Sequence, residues 1–303
     1  MDHGLVQAPL NALRRMARVA GTLLCCVAIV FLLRRGYALG VSIGAGFERI
    51  GARAFFVACA CYAAAAASLG VGWVALVRLA TGEHVAFAPL YASHLRSQLA
   101  KYLPGNVFHL AYRHVAARRA GVGHAPLALA LGMETALVSA SAAMLSIGIV
   151  TDPRVSTIAP WARGLAWIAG LLPIMGVSAV SMYVRRVGRR VAIFDVLRST
   201  AFVLAIHLSF MMLATFALHS LSTGANALSM ASWCGWLSLA WLLGYVMPGA
   251  PAGMGVRETV LVIGLGPSLG EANALVVALA YRFVTVVVDA VSAGVGFVLR
   301  DRS

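Results

Sequence analysis

Charge is scarce in this chain, and so are the residues that would build a soluble surface. Of 303 residues only 11% are charged, ten are acidic, and lysine occurs once, at Lys101. Between positions 199 and 256 there is no Asp, Glu, Lys or Arg. Soluble domains carry about a quarter charged residues. With 61% hydrophobic residues and a mean hydropathy of +0.88, this composition excludes an ordinary soluble fold and describes an integral membrane protein. The five cysteines (Cys25, Cys26, Cys59, Cys61 and Cys234) sit in apolar runs without histidine at metal-ligand spacing, so neither a disulfide framework nor a metal site is implied. Phosphate-binding loops, nucleophile elbows and zinc-protease helices are missing too. No polar stretch is long enough for a separate catalytic domain. An enzyme is therefore not expected, and no cofactor is implied.

The positive charge that is present comes almost wholly as arginine. A net charge of +14 and a pI near 10.6 would suggest nucleic acid for a soluble chain. Here the arginines flank apolar runs, where they set topology and meet anionic headgroups, so no nucleic-acid partner is expected. A spanning helix needs ~20 apolar residues. On that ruler residues 19–33, 54–77, 125–150 and 164–184 are candidates, the uncharged stretch 199–256 holds two membrane segments joined near Ser222, and 272–299 is the last. Arginines on both sides of 19–33 mark a retained anchor rather than a cleaved signal. The expected architecture is all-α: a polytopic transmembrane bundle of about six full spans plus two broken or re-entrant segments, one membrane domain over 1–303 with halves at 36–150 and 185–299. The cluster Arg185, Arg186, Arg189, Arg190 and Arg198 marks a cytoplasmic loop, and a multi-pass inner-membrane location is expected.

Two segments fit an ordinary span badly. The first holds Lys101, Tyr102, Pro104, Gly105 and Asn106, followed by Arg113; the second, "VMPGAPAGMGVRE", ends an apolar helix in prolines and in Gly253 and Gly255 before Arg257 and Glu258. Proline removes a backbone donor and glycine weakens a helix, and broken backbone at membrane depth is tolerated only inside protein or beside a wet cavity. An offset of 144 residues lays Pro104-Gly105 on Pro248-Gly249 and Arg113 on Arg257, compatible with an inverted repeat. Ionisable residues inside spans are functional hypotheses by default. Glu134 is read either as a cavity carboxylate or as a buried pair that fixes packing. Arg282 and Asp289, seven apart, share a helix face. Arg257-Glu258 opens a short helix whose N-terminus is a ready anion site. His94, His109 and His114 are read as interfacial or packing residues, and His207 and His219 as satisfied core histidines.

"KYLPGN" (101–106), Glu134, "PAGMGVRE" (251–258) and "YR" (281–282) together resemble the lysylphosphatidylglycerol synthase transmembrane-region family, the flippase-like membrane domain of multiple-peptide-resistance proteins, as a stand-alone member. The resemblance covers about residues 36–299. It implies a helical lipid-translocating module with broken helices lining a headgroup cavity. The family usually shows Pro-Gly-Gly where this chain has Pro251-Ala252-Gly253, and an arginine after the glutamate where this chain has Thr135. The expected function is movement of an anionic or phosphate-headgroup lipid between leaflets, the partner being an anionic phospholipid, an aminoacylated lipid, or a polyprenyl-linked or hopanoid lipid. A homodimer is compatible with this reading. The alternative is a non-transporting scaffold of a lipid-modifying or glycosyl-transferring enzyme.

Overall fold

The longest apolar runs become the longest helices. The computed structural model describes residues 43–103, 107–152, 154–155, 193–222, 228–247 and 249–300, with scattered positions between 19 and 40. Among the described residues from position 43 onwards the α-helices are, in order, α1 Ile43–Thr81, α2 Phe87–Ala100, α3 Phe108–Arg119, α4 His124–Ser146, α5 Ile193–Ser220, α6 Met230–Val246, α7 Val256–Leu269 and α8 Glu271–Arg300. A 3₁₀ turn, Ile147–Thr151, extends α4, and another, Pro251–Gly253, precedes α7. There is no strand among the described residues.

Among the described residues four helices are long and apolar enough to cross a membrane: Gly44–Thr81, His124–Thr151, Phe194–Ser220 and Glu271–Leu299. The expected count of about six is not reached here. Residues 164–184 and positions 20–22, 24, 25 and 28 of the run 19–33 lie outside the described residues, and the apolar α6 is only 17 residues long. Large apolar side chains point outwards along these helices, with Phe56, Phe216, Phe283 and Val291 all more than half exposed. A continuous apolar exterior of that kind suits hydrocarbon, not water.

Helix packing relies on small residues that bring backbones close, as membrane bundles do in the absence of a strong hydrophobic drive between helices. On α1, Ala58, Ala65 and Ala66 are buried around Tyr62 in a cluster with Phe210 and Met211 of α5. A second cluster gathers Trp73 and Leu76 of α1 with Leu90 of α2, Leu127 and Met133 of α4, and Val203 of α5. At Gly70 a Cβ would lie 2.6 Å from the Tyr91 ring, and at Gly296 it would lie 2.9 Å from Leu95 Cβ, so α2 is pressed between α1 and α8. That crossing sets the end of α2 beside the middle of α8.

At the opposite end of α4, Gly148 and Gly235 pass backbone to backbone. A Cβ on Gly235 would come within 2.3 Å of Ile149 N, and one on Gly148 within 2.0 Å of Ala231 O. Nearby, Asp152 is fully buried, binds the Arg154 guanidinium and accepts from Trp236 Nε1 at 3.3 Å. Gly235→Ala should therefore cost about 1–3 kcal/mol, the range for overpacking, seen as a lower melting temperature in detergent. Gly132→Ala, where nothing lies within 4 Å of the added Cβ, should leave the melting temperature unchanged or raise it.

Candidate functional site

Both helix breaks expected from the sequence lead into one place. After α2 the chain turns at Lys101 and Tyr102, where Tyr102 N–H donates to Leu99 O at 3.2 Å. After α6 it passes Gly249, at φ +94°, and the Pro251–Gly253 turn. Pro104, Gly105, Asn106 and Pro248 lie outside the described residues. The two segments are joined at Ala252: its N–H donates to the Lys101 carbonyl at 2.9 Å, and its own carbonyl accepts from Arg282 Nη1 at 3.0 Å.

Ala252 holds φ 49°, ψ 27°, and among the described residues it is the one non-glycine with positive φ. That is the position where the resembled family carries glycine, and an L-residue in this region costs roughly 1–2 kcal/mol. The neighbouring glycines have steric reasons as well. Gly253 (φ +71°) lies against Gly244, and a Cβ on either would meet the Arg257 side chain within 2.7 Å. Gly255, at φ +80°, caps α7, and Glu258 Oε2 accepts from its N–H at 2.7 Å.

Charged side chains from five elements converge on this junction. Lys101 Nζ lies 2.8 Å from Asp289 Oδ2 and donates to Gln98 Oε1 at 3.1 Å. Tyr102 donates its hydroxyl to the same Asp289 oxygen at 2.6 Å. Arg113 of α3 donates to Glu134 Oε1 of α4 at 2.8 Å and lies over the Trp73 ring, 4.8 Å from its centroid. Arg282 Nε is 3.7 Å from Glu258 Oε1, and its guanidinium lies 5.4 Å from the Tyr102 ring centroid. Arg282 and Asp289 thus share a face, as their spacing predicts, but each answers to a different partner.

Arg257 is different. Its guanidinium lies 5.4 Å from the Trp241 ring centroid, its Nε is buried without a hydrogen-bond partner, and among the described residues no carboxylate lies within 4 Å of it.

Beside these groups is a cavity of about 90 Å³, room for about three waters at roughly 30 Å³ each. Its charged lining is Lys101, Arg113, Arg257 and Glu134; Tyr62, Trp241 and Tyr245 add aromatic wall, and His94, His109 and His207 add imidazoles. Asp289, Glu258 and Arg282 stand behind that wall rather than in it. His94 sets its ring nitrogens against Gln98 Nε2 at 3.0 Å and Arg113 Nη1 at 3.4 Å, and a neutral ring can accept from one of the two. On the far side of the α2–α3 hairpin a groove of about 600 Å³ is lined by Ala100, Leu103, Phe108, Ala111 and Val115, with Arg96 and Arg119. The hairpin therefore has a polar face on the cavity and an apolar face on the groove.

No family model and no curated protein matches this chain.

Of the residues singled out in the sequence, Lys101, Tyr102, Arg113, Glu134, Gly253, Gly255, Arg257, Glu258, Arg282 and Asp289 come together around Ala252 and the cavity. His94 and His109, read as interfacial or packing residues, and His207, read as a core histidine, line the cavity. One signal for two of these positions was available: His94, Gln98 and Lys101 are spaced four and three apart, one helix face. Trp73, Trp241 and Tyr245 lie in apolar runs that carry no such mark.

Two substitutions follow from the geometry. Ala252→Gly removes the left-handed strain and should raise the melting temperature by an amount equal to about 0.5–1 kcal/mol after the entropy cost of glycine; a fall would mean that the methyl group's packing outweighs the strain. Glu134→Gln leaves Arg113, 4% exposed, without its counter-charge, and should cost about 3 kcal/mol, the low end for one partner of a buried pair. A double-mutant cycle with Arg113→Gln checks this, since a real pair leaves a coupling energy and independent sites do not.

Proposed function

We propose that this chain is an inner-membrane lipid translocase, similar in kind to the lysylphosphatidylglycerol synthase transmembrane-region family, that moves a phosphate-headgroup lipid between leaflets. The observation that carries this reading is Arg257, a guanidinium without a counter-charge in the wall of a polar cavity within an apolar bundle. An uncompensated buried charge is costly. The cost falls when an anion enters, and a lipid phosphate is the anion a membrane supplies in quantity.

The rest of the site suits headgroup passage. The α7 N-terminus directs backbone N–H groups and a positive dipole end towards the break. The headgroup would occupy the cavity while an acyl chain runs in the apolar groove beyond the hairpin. Lys101, Arg113 and Arg257 would receive the phosphate, and the carboxylates would hold the cations between passages. The broken segments, as the two arms of an inverted repeat, would rock about the Ala252 junction to open the cavity to either side. No nucleotide-binding motif occurs in the sequence, so movement would be downhill or ion-coupled.

The lysine fits this task better than an arginine would. A compact ammonium binds phosphate through rotatable donors and releases it without a bidentate grip. Reconstituted into liposomes, the protein should accelerate exchange of a labelled phospholipid above the protein-free rate. Lys101→Arg should keep headgroup binding but slow exchange, and Lys101→Ala should weaken both. Absence of exchange by the folded wild type would favour the non-transporting scaffold instead.

A further inference from the structure

The cavity's charge balance says which headgroup it takes. Among the described residues, four cations (Lys101, Arg113, Arg257 and Arg282) meet three carboxylates (Glu134, Glu258 and Asp289) around the junction. Three ion pairs form, at 2.8 Å for Lys101 with Asp289, 2.7 Å for Arg113 with Glu134 and 3.7 Å for Arg282 with Glu258, leaving Arg257 over. We infer that the headgroup carries a single net negative charge: one phosphodiester, no ammonium, and a hydroxylated neutral remainder. This deepens the translocase reading and rests on it for the headgroup's belonging to a lipid.

Each part of that description answers to a feature of the wall. One phosphodiester neutralises one surplus guanidinium, whereas a phosphomonoester dianion would overcompensate it. An ammonium has nowhere to go. Among the described residues Glu134 is the one carboxylate lining the cavity, and Arg113 already holds it. Trp241, the largest aromatic face in the wall, already lies under Arg257. Three cations in the lining would add repulsion.

Hydroxyl groups, by contrast, find acceptors. His109 Nδ1 and His207 Nδ1 are buried with no hydrogen-bond partner, His207 is 1% exposed, and both residues line the cavity. Unpaired polar atoms of this kind cost stability unless a ligand or water completes them. A polyol substituent on the phosphate supplies donors at that depth. The cavity of about 90 Å³ is too small for the lipid tails.

Two measurements on the full-length protein separate this inference from the translocase reading. In detergent, Trp241 reports on its neighbour Arg257, so tryptophan emission is followed while glycerophosphoglycerol, glycerophosphoethanolamine or glycerophosphocholine is added, with Trp241→Phe as the blank. Glycerophosphoglycerol should bind at least about tenfold more tightly than either zwitterion. Arg257→Gln should weaken it about thirty-fold, the lower end for losing one member of a buried charge pair, and Arg257→Lys should restore part of the preference. Equal affinities for the three headgroups in the wild type overturn the inference, whatever the variants do. In liposomes, labelled phosphatidylglycerol should exchange faster than phosphatidylethanolamine or phosphatidylcholine. Selective binding without exchange overturns the translocase reading and supports the headgroup assignment; equal exchange of all three overturns the assignment and supports the translocase reading.

Discussion

A charge carried into an apolar bundle has to find its opposite, and that requirement organises the centre of this molecule. Each of the three central ion pairs joins different elements: the turn after α2 to α8, α3 to α4, and α7 to α8. None of the three pairs closes within a single helix. The pairs therefore act as tertiary clamps, and the position of each helix is tied to the electrostatics of its neighbour. The backbone bond from Ala252 to Lys101 closes the arrangement by joining the two helix breaks directly, so that a shift in either segment is felt at the other.

Such clamps work only where helices approach closely. Gly296 and Gly70 let α2 lie against α8 and α1 without a Cβ between them, which carries Lys101 to Asp289 and His94 to Arg113. Gly244 and Gly253 make the corresponding space on the other side and leave a slot just wide enough for the Arg257 stem. Small residues thus do the packing while long polar ones reach the cavity, a division of labour that lipid surroundings favour. The chain's outer surface keeps its large apolar side chains for the bilayer.

Much of this was legible in the sequence, for reasons that can be stated residue by residue. Charge depletion announced the membrane class, the prolines and glycines announced the two breaks, and ionisable residues in otherwise apolar runs marked Glu134, Arg282 and Asp289. Their pairing was not legible. Arg282 and Asp289 share a face, yet which carboxylate meets which cation depends on helix crossings set by Gly70 and Gly296, and glycine in a helix carries no sign of the neighbour it admits. That His94, His109 and His207 border a cavity was not legible, because a histidine in an apolar run looks the same whether it faces lipid, core or cavity. Ala252 stood where glycine was expected, but only the backbone angle shows what the difference costs.

The central claim is that the junction holds one buried cation in excess and takes an anion to balance it. Native mass spectrometry of the protein, extracted gently and then stripped of loosely held lipid, tests this without any added ligand. The account predicts retention of a single phosphate-headgroup lipid of net negative charge, lost when Arg257 is replaced by glutamine. Retention of no lipid by the intact folded protein, or of a zwitterionic or cationic lipid that survives that replacement, would contradict it.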